Sequence, residues 1–189
     1  RGHQLGGTPC PLGAHYLPTP GPQAREVSEW LHEIGVARHE LGRTVYDERH
    51  LYHSPQERLF FDGTWHEGVL PPADAGTATA AQYRRFAQRV ADAQRLGFAM
   101  PTRRAVWTAE HAALDAQTFS HWLGSQHLDD ARLRWYLDYC CRDDYGAGIR
   151  EVSAWAALHY FAARDDSEVL TWPEGNGWLV KRIMERMSG

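Results

Sequence analysis

Residues 9–22 read Pro9-Cys10-Pro11-Leu12-Gly13-Ala14-His15-Tyr16-Leu17-Pro18-Thr19-Pro20-Gly21-Pro22. The five prolines of this stretch exclude a regular helix, and it carries almost no charge. At its centre, Leu12 to Leu17 is an apolar run broken by Gly13 and Ala14, two residues too small to obstruct a flat ligand or a second backbone. His15 and Tyr16 add polar tips on large flat bodies. A stiff, extended, nearly uncharged segment beside a helix has the character of a site wall. The plainer alternative is a Pro-rich loop that covers core and binds nothing.

Outward from that wall, Pro22 to Ile34 is predicted to be an amphipathic helix. Val27, Trp30, Leu31 and Ile34 recur at helical spacing, and Gly35 supplies the stop. Arg43 to His53 is predicted extended. Glu57 to Glu67 is the clearest β signal, two aromatic runs flanking Asp62-Gly63, whose backbone tolerates the positive φ of a tight hairpin. Leu70 to Thr77 is a linker. Helices are then expected over Ala78 to Leu96, Asp115 to Ser125, from Asp129-Asp130 through Cys140, over Val152 to Arg164, and over Trp178 to Met187. Asp143 to Gly148 is expected to interrupt them, and Val169 to Trp172 to form a short strand. The predicted fold class is mainly α with a small β element, an α+β arrangement with one hairpin near 57–67.

The totals narrow the chemistry. The chain has 189 residues, a hydrophobic content of 43% and 8 Trp, enough for a packed interior. A net charge of −4 with scattered arginines offers no basic field, which argues against a nucleic-acid partner. No apolar run approaches the ~20 residues of a membrane span. Three cysteines, two of them the neighbours Cys140 and Cys141, make no disulfide framework. Eleven histidines show no zinc-ligand spacing, so no metal site is assigned. P-loop and nucleophile-elbow motifs are absent. The chain starts at Arg1-Gly2 without Met and stops at Ser188-Gly189, and the expectation is a piece of a longer protein.

Three local features carry two readings each. Arg142-Asp143-Asp144-Tyr145 is either a polar site or a capped helix end. His159 on an apolar helix either faces a cavity or is satisfied in the core. Gly175-Asn176-Gly177 ahead of a helix is either an anion-binding N-terminus or a plain turn.

Taken in order, these segments resemble the flavin-dependent amine oxidases, including the phytoene-desaturase-like enzymes. The likeness rests on Arg1-Gly2, then Leu12-Gly13-Ala14-His15-Tyr16-Leu17, then the helix ending Leu31-His32-Glu33-Ile34-Gly35-Val36. It continues through Glu151-Val152-Ser153-Ala154-Trp155-Ala156 and Val169 to Ile183, which is similar to the family's Gly-Gly-x-Gly return segment. The resemblance implies that Gly13, Ala14, His15, Tyr16, Gly175 and Gly177 face FAD in the intact protein. It implies that Tyr145, His159 and Trp172 contact a small-molecule substrate. Residues 1–54 would form the flavin-facing segment and first helix, 55–168 a mostly helical substrate-recognition region, and 169–189 the return toward the flavin domain. Hydride transfer from substrate to FAD is the implied chemistry. It assigns no catalytic residue.

The departures are equally specific. No Gly-x-Gly-x-x-Gly follows a strand, and Lys181, the only lysine, does not match the family's lysine near the flavin. This chain by itself is therefore expected to hold no FAD and to need the missing FAD-binding domain of the same polypeptide. An exposed apolar patch at the Leu12–Leu17 wall and the Trp172–Trp178 turn, with self-association through it, is the expected consequence. The competing hypothesis is a self-standing helical module that binds a small molecule or peptide without redox activity, and it expects both segments covered. The cellular compartment is not assigned.

Overall fold

The computed structural model describes residues 2–52, 57–163 and 168–188. Along the chain run β1 (Gly2–Leu5), β2 (Thr8–Pro11), β3 (Tyr16–Pro18), α1 (Arg25–Glu33), β4 (Ala37–Glu40), β5 (Arg43–Tyr46), β6 (Leu51–Tyr52), β7 (Arg58–Phe61) and β8 (Thr64–Glu67). Then follow α2 (Ala78–Gln94), a short 3-10 turn (Thr102–Arg104), α3 (Ala109–Asp115), α4 (Phe119–Ser125), α5 (Ala131–Tyr145), α6 (Ala154–Ala162), β9 (Val169–Thr171) and α7 (Gly177–Met187).

Among the described residues, nine strands in four antiparallel sheets correct the expectation of a mainly helical chain with one small β element. The 57–67 hairpin, β7 with β8, is one of three. Each turns on two residues of positive φ: Gly6 and Gly7 (58° and 83°), Leu41 and Gly42 (48° and 77°), Asp62 and Gly63 (50° and 79°). Such pairs match the right-handed twist of the flanking strands. Strands of four residues are too short to display a period-2 pattern, which is why β1, β2 and β4 escape a periodicity search. Pro9 and Pro11 are tolerated in β2 because a two-stranded ribbon has an open edge.

Other boundaries move as well. The first helix begins at Arg25 rather than Pro22. The segment expected as one helix over Asp115–Ser125 is the end of α3 followed by α4, which starts on its own cap at Thr118. Asp143 and Asp144 do not interrupt α5, which runs to Tyr145 and stops at Gly146 (φ 67°). His53 and Arg164, expected ends of a strand and a helix, lie outside the described residues.

The chain divides into two contact units, Arg1–Pro55 with Asp166–Gly189, and Gln56–Asp165. In the first, the sheet β3-β9-β6 carries the core, with Leu170 of β9 opposite Leu17 and Leu51 on either side. Leu31 of α1, Val36, Trp172 and Leu179 of α7 close that core. In this unit α1 and α7 start without a side-chain cap.

In the second unit every α-helix starts on one. Thr77, Thr108, Thr118, Asp130 and Ser153 each accept a backbone N–H from the first turn of the helix they open. These side chains satisfy donors that a helix leaves open. Around Phe119, Leu123, Leu133, Leu137 and Leu158 the helices bury a second core.

Asp130 does the most among these caps. Its carboxylate accepts from Arg132 and Leu133 N–H at 3.0 Å each and from the Thr79 hydroxyl of α2 at 2.7 Å, while its own N–H donates to Gln82 Oε1. Partial burial pushes its carboxyl up, but these hydrogen bonds and the Arg132 charge outweigh it and hold the pKa below the ordinary value. Asp130→Ala is expected to cost about 1–2 kcal/mol. Because the folded pKa is the lower one, that contribution is complete above the unfolded Asp value of about 3.9 and disappears as pH falls through the folded value. Urea unfolding of parent and variant from pH 6 downward checks this: the two curves should converge only in acid.

Candidate functional site

The Leu12–Leu17 wall and the turn after β9 form one surface. β3 pairs antiparallel with β9, Tyr16 opposite Thr171 and Leu17 opposite Leu170. Beyond the ladder, three hydrogen bonds fasten the wall. The Asn176 N–H donates to the Ala14 carbonyl at 3.0 Å, the Thr171 hydroxyl to the His15 carbonyl at 2.8 Å, and Asn176 Nδ2 to the Tyr16 carbonyl at 3.1 Å. The last two link residues 156 and 160 positions apart in sequence.

Asn176 explains itself only in this context. It occupies the N-cap position of α7, where an Asn normally turns its oxygen onto the first-turn N–H groups. A carbonyl can only accept, so the group facing Tyr16 must be the amide NH2. Asn176 Oδ1 is left buried without a partner among the described residues. Leaving such an acceptor unpaired costs about 1–3 kcal/mol. The capping residue has been diverted from its helix to hold the wall.

Gly175 seals the joint. It is buried at φ +63°, and a Cβ there would lie 2.6 Å from Pro11 Cβ and 2.9 Å from the Ala14 oxygen. Its α-carbon is thus occupied by the wall and presents no face to a ligand. Gly13 and Gly177 differ: a Cβ on either would meet nothing within 4 Å, and both are exposed. Ala14 and His15 are exposed, Leu12 is 66% exposed and Tyr16 42%. The His15 and Tyr16 rings meet edge to face at 5.0 Å. The surface presented is apolar, aromatic and backbone-tethered, and no charged side chain stands between Leu12 and Pro18.

The three residues expected against substrate occupy other settings. Trp172 is 3% exposed, stacked at 7° and 5.1 Å on Trp178, with His50 5.9 Å away. It belongs to the core of the first unit, so the Trp172–Trp178 turn is not exposed throughout, and only Pro173, Glu174 and Gly177 in it are open. His159, in the second unit, is buried with Nε2 2.9 Å from the Ala99 carbonyl, the satisfied core histidine of the plainer alternative. Tyr145, also in the second unit, is half exposed and donates its hydroxyl to the Ala156 carbonyl at 2.8 Å. Cys140 and Cys141 are buried, and burial first of all pushes the Cys141 thiol up to about 12, which keeps it protonated and not nucleophilic.

A second cluster escaped the sequence. Around His159 in the second unit stand Phe98, Trp107, His111 and Trp155, rings linked pairwise at 5.2–6.0 Å. Thr108 opens α3 with a capping box in which His111 is the reciprocating residue, and the Thr108 N–H donates to His111 Nδ1 at 3.1 Å. Nδ1 is therefore the acceptor and Nε2 carries the proton in the neutral ring. His111 Nε2 and Trp155 Nε1 are both buried donors without an acceptor among the described residues. Thr108-x-x-His111 was the legible trace of this arrangement, but a His in place of Glu or Gln hides the box.

Among the described residues no helix is long and apolar enough to cross a membrane. No family model matches the chain, and no curated protein and no solved structure is significantly similar to it.

Proposed function

We propose that this chain is the substrate-binding and flavin-facing portion of an FAD-dependent oxidoreductase of the amine-oxidase type, which acts together with an FAD-binding domain of the same polypeptide. The observation that carries the reading is the junction of two small-residue segments, Gly13-Ala14 and Gly175-Asn176-Gly177, into one tethered apolar surface. A flat ring needs close approach to a backbone that does not yield. Gly13 and Gly177 leave the approach open, and the Asn176 and Thr171 hydrogen bonds keep the backbone still. Tyr16 and His15 offer flat edges beside it.

FAD, when bound, accepts a hydride equivalent from an amine-bearing or C–H carbon of the substrate. The residues of this chain would orient the ring and exclude water from one of its faces. They supply no phosphate cradle of the Gly-x-Gly-x-x-Gly kind, so the chain alone is expected to hold no FAD. Gly175 and Trp172 serve this site from behind, as the packing that sets the wall.

A self-standing helical module expects the wall to be covered. The exposure of Leu12 and Tyr16 favours the flavoprotein reading.

The test uses the complete reading frame. Its product is expected to be yellow with bound flavin, and the 189-residue chain alone colourless. Gly13→Val should leave the thermal stability of the chain unchanged, because its side chain meets nothing, yet lower the flavin content of the complete protein several-fold. A colourless complete protein, or full flavin occupancy in Gly13→Val, overturns the reading. Stoichiometric FAD on the 189-residue chain overturns the need for a second domain.

A further inference from the structure

The aromatic cluster of the second unit has a property that the flavin reading does not use. Two of its rings, His111 and Trp155, each carry a buried N–H without an acceptor among the described residues. His111 is 0% exposed, and its tautomer is set by the Thr108 N–H on Nδ1. Buried donors are nearly always paired, so two in one cluster call for a common cause. Both rings touch the same third ring: Trp107 lies 6.0 Å from His111 at 25°, and 5.4 Å from Trp155. Trp107 is itself 57% exposed and sits on the irregular stretch between the 3-10 turn and α3. Trp107 packs against both donor-bearing rings and is the exposed member of the cluster, half in water, while Phe98, His111, Trp155 and His159 are partly or fully buried.

We propose that the place now taken by the Trp107 indole is a binding site for a planar aromatic compound bearing a carbonyl or carboxylate oxygen. The ligand replaces one flat ring by another of similar size, so the contacts with His111 and Trp155 are kept. It adds what the indole lacks, an oxygen that accepts from His111 Nε2 and Trp155 Nε1. Phe98, which contacts His111 at 5.2 Å and Trp155 at 5.9 Å, is the fixed back of the site. Specificity follows from the donors: a ligand offering only N–H groups gains nothing over the indole. The inference does not rest on the flavin reading, since every residue in it belongs to the second unit.

Benzoate and benzamide are the probes, with benzylamine as the acceptor-free control, and the readout is the NMR resonance of the Trp155 indole N–H in the 189-residue chain. Benzoate or benzamide, or both, should shift that resonance saturably, and benzylamine should not. Trp107→Ala should tighten binding, because no indole has to be displaced. Trp155→Phe should weaken it about tenfold, the loss of one hydrogen bond of ordinary strength, seen on the other indole signals. An unmoved Trp155 resonance with both acceptor probes in the parent and in Trp107→Ala overturns the proposal. So does a benzylamine response equal to that of benzoate. Because Trp107→Ala changes an exposed side chain and Trp155→Phe keeps a ring in place, neither test depends on a variant that fails to fold.

Discussion

Gly175→Ala is expected to destabilise the first unit by about 2–5 kcal/mol. Two causes add. An L side chain at a left-handed φ costs about 1–2 kcal/mol, and Gly175 sits at +63°. The new methyl would also lie 2.6 Å from Pro11 Cβ, 2.9 Å from the Ala14 oxygen and 3.2 Å from His15 Cα. A proline ring and two backbone atoms cannot swing away as a long side chain can, and overpacking of this kind costs about 1–3 kcal/mol. Gly177→Ala is the control: it adds a methyl where nothing stands within 4 Å, in the first turn of α7, and should be neutral or mildly stabilising. The NMR indole N–H resonances of Trp172 and Trp178, a stacked pair in the first unit, followed during urea unfolding report on this unit. Equal midpoints for the two variants would mean that the wall and the turn are not held together at Gly175.

Trp172→Ala is expected to lose about 3–5 kcal/mol, the range for truncating a buried large aromatic. The indole packs in one core with Leu31, Val36, Leu170 and Leu179, and its loss also removes its ring contacts with Trp178 and His50. Trp172→Phe should cost markedly less. It keeps a ring in the site and removes Nε1–H, a donor without an acceptor among the described residues. This pair of variants separates a core residue from a ligand contact. An alanine variant as stable as the parent would return Trp172 to the substrate role that the family resemblance gives it.

The elements that could be read from the chain are those whose determinants are local. α2 and α5 carry long apolar periodicities and begin on Thr77 and Asp130, so spacing and cap agree. The β7–β8 hairpin has both a turn signal, Asp62-Gly63, and flanking aromatics. The β1–β2 and β4–β5 hairpins turn on Gly6-Gly7 and Leu41-Gly42, and of their four-residue strands β5 alone falls in a segment read as extended, because β1, β2 and β4 carry no Trp, Tyr or Phe. α3 lies before the helix expected over Asp115–Ser125 and shares only Asp115 with it: seven residues give fewer than two turns of periodicity, so α3 and the start of α4 are marked only by their caps, Thr108 and Thr118.

Of the candidate site, the composition of the wall was visible: proline stiffness, small residues at Gly13 and Ala14, aromatics at His15 and Tyr16. So was the glycine-rich turn before α7. Sequence alone determined these, because backbone freedom and side-chain size belong to each residue wherever it lies. Tertiary structure alone decided that the two segments meet, that Asn176 abandons its helix for the Tyr16 carbonyl, and that Trp172 and His159 are enclosed. It also decided which of the three glycines, Gly175, fills a joint while Gly13 and Gly177 face open space. Contacts 156 to 160 residues apart depend on how strands pair across the whole chain, and no local pattern encodes which distant partner a small residue will meet.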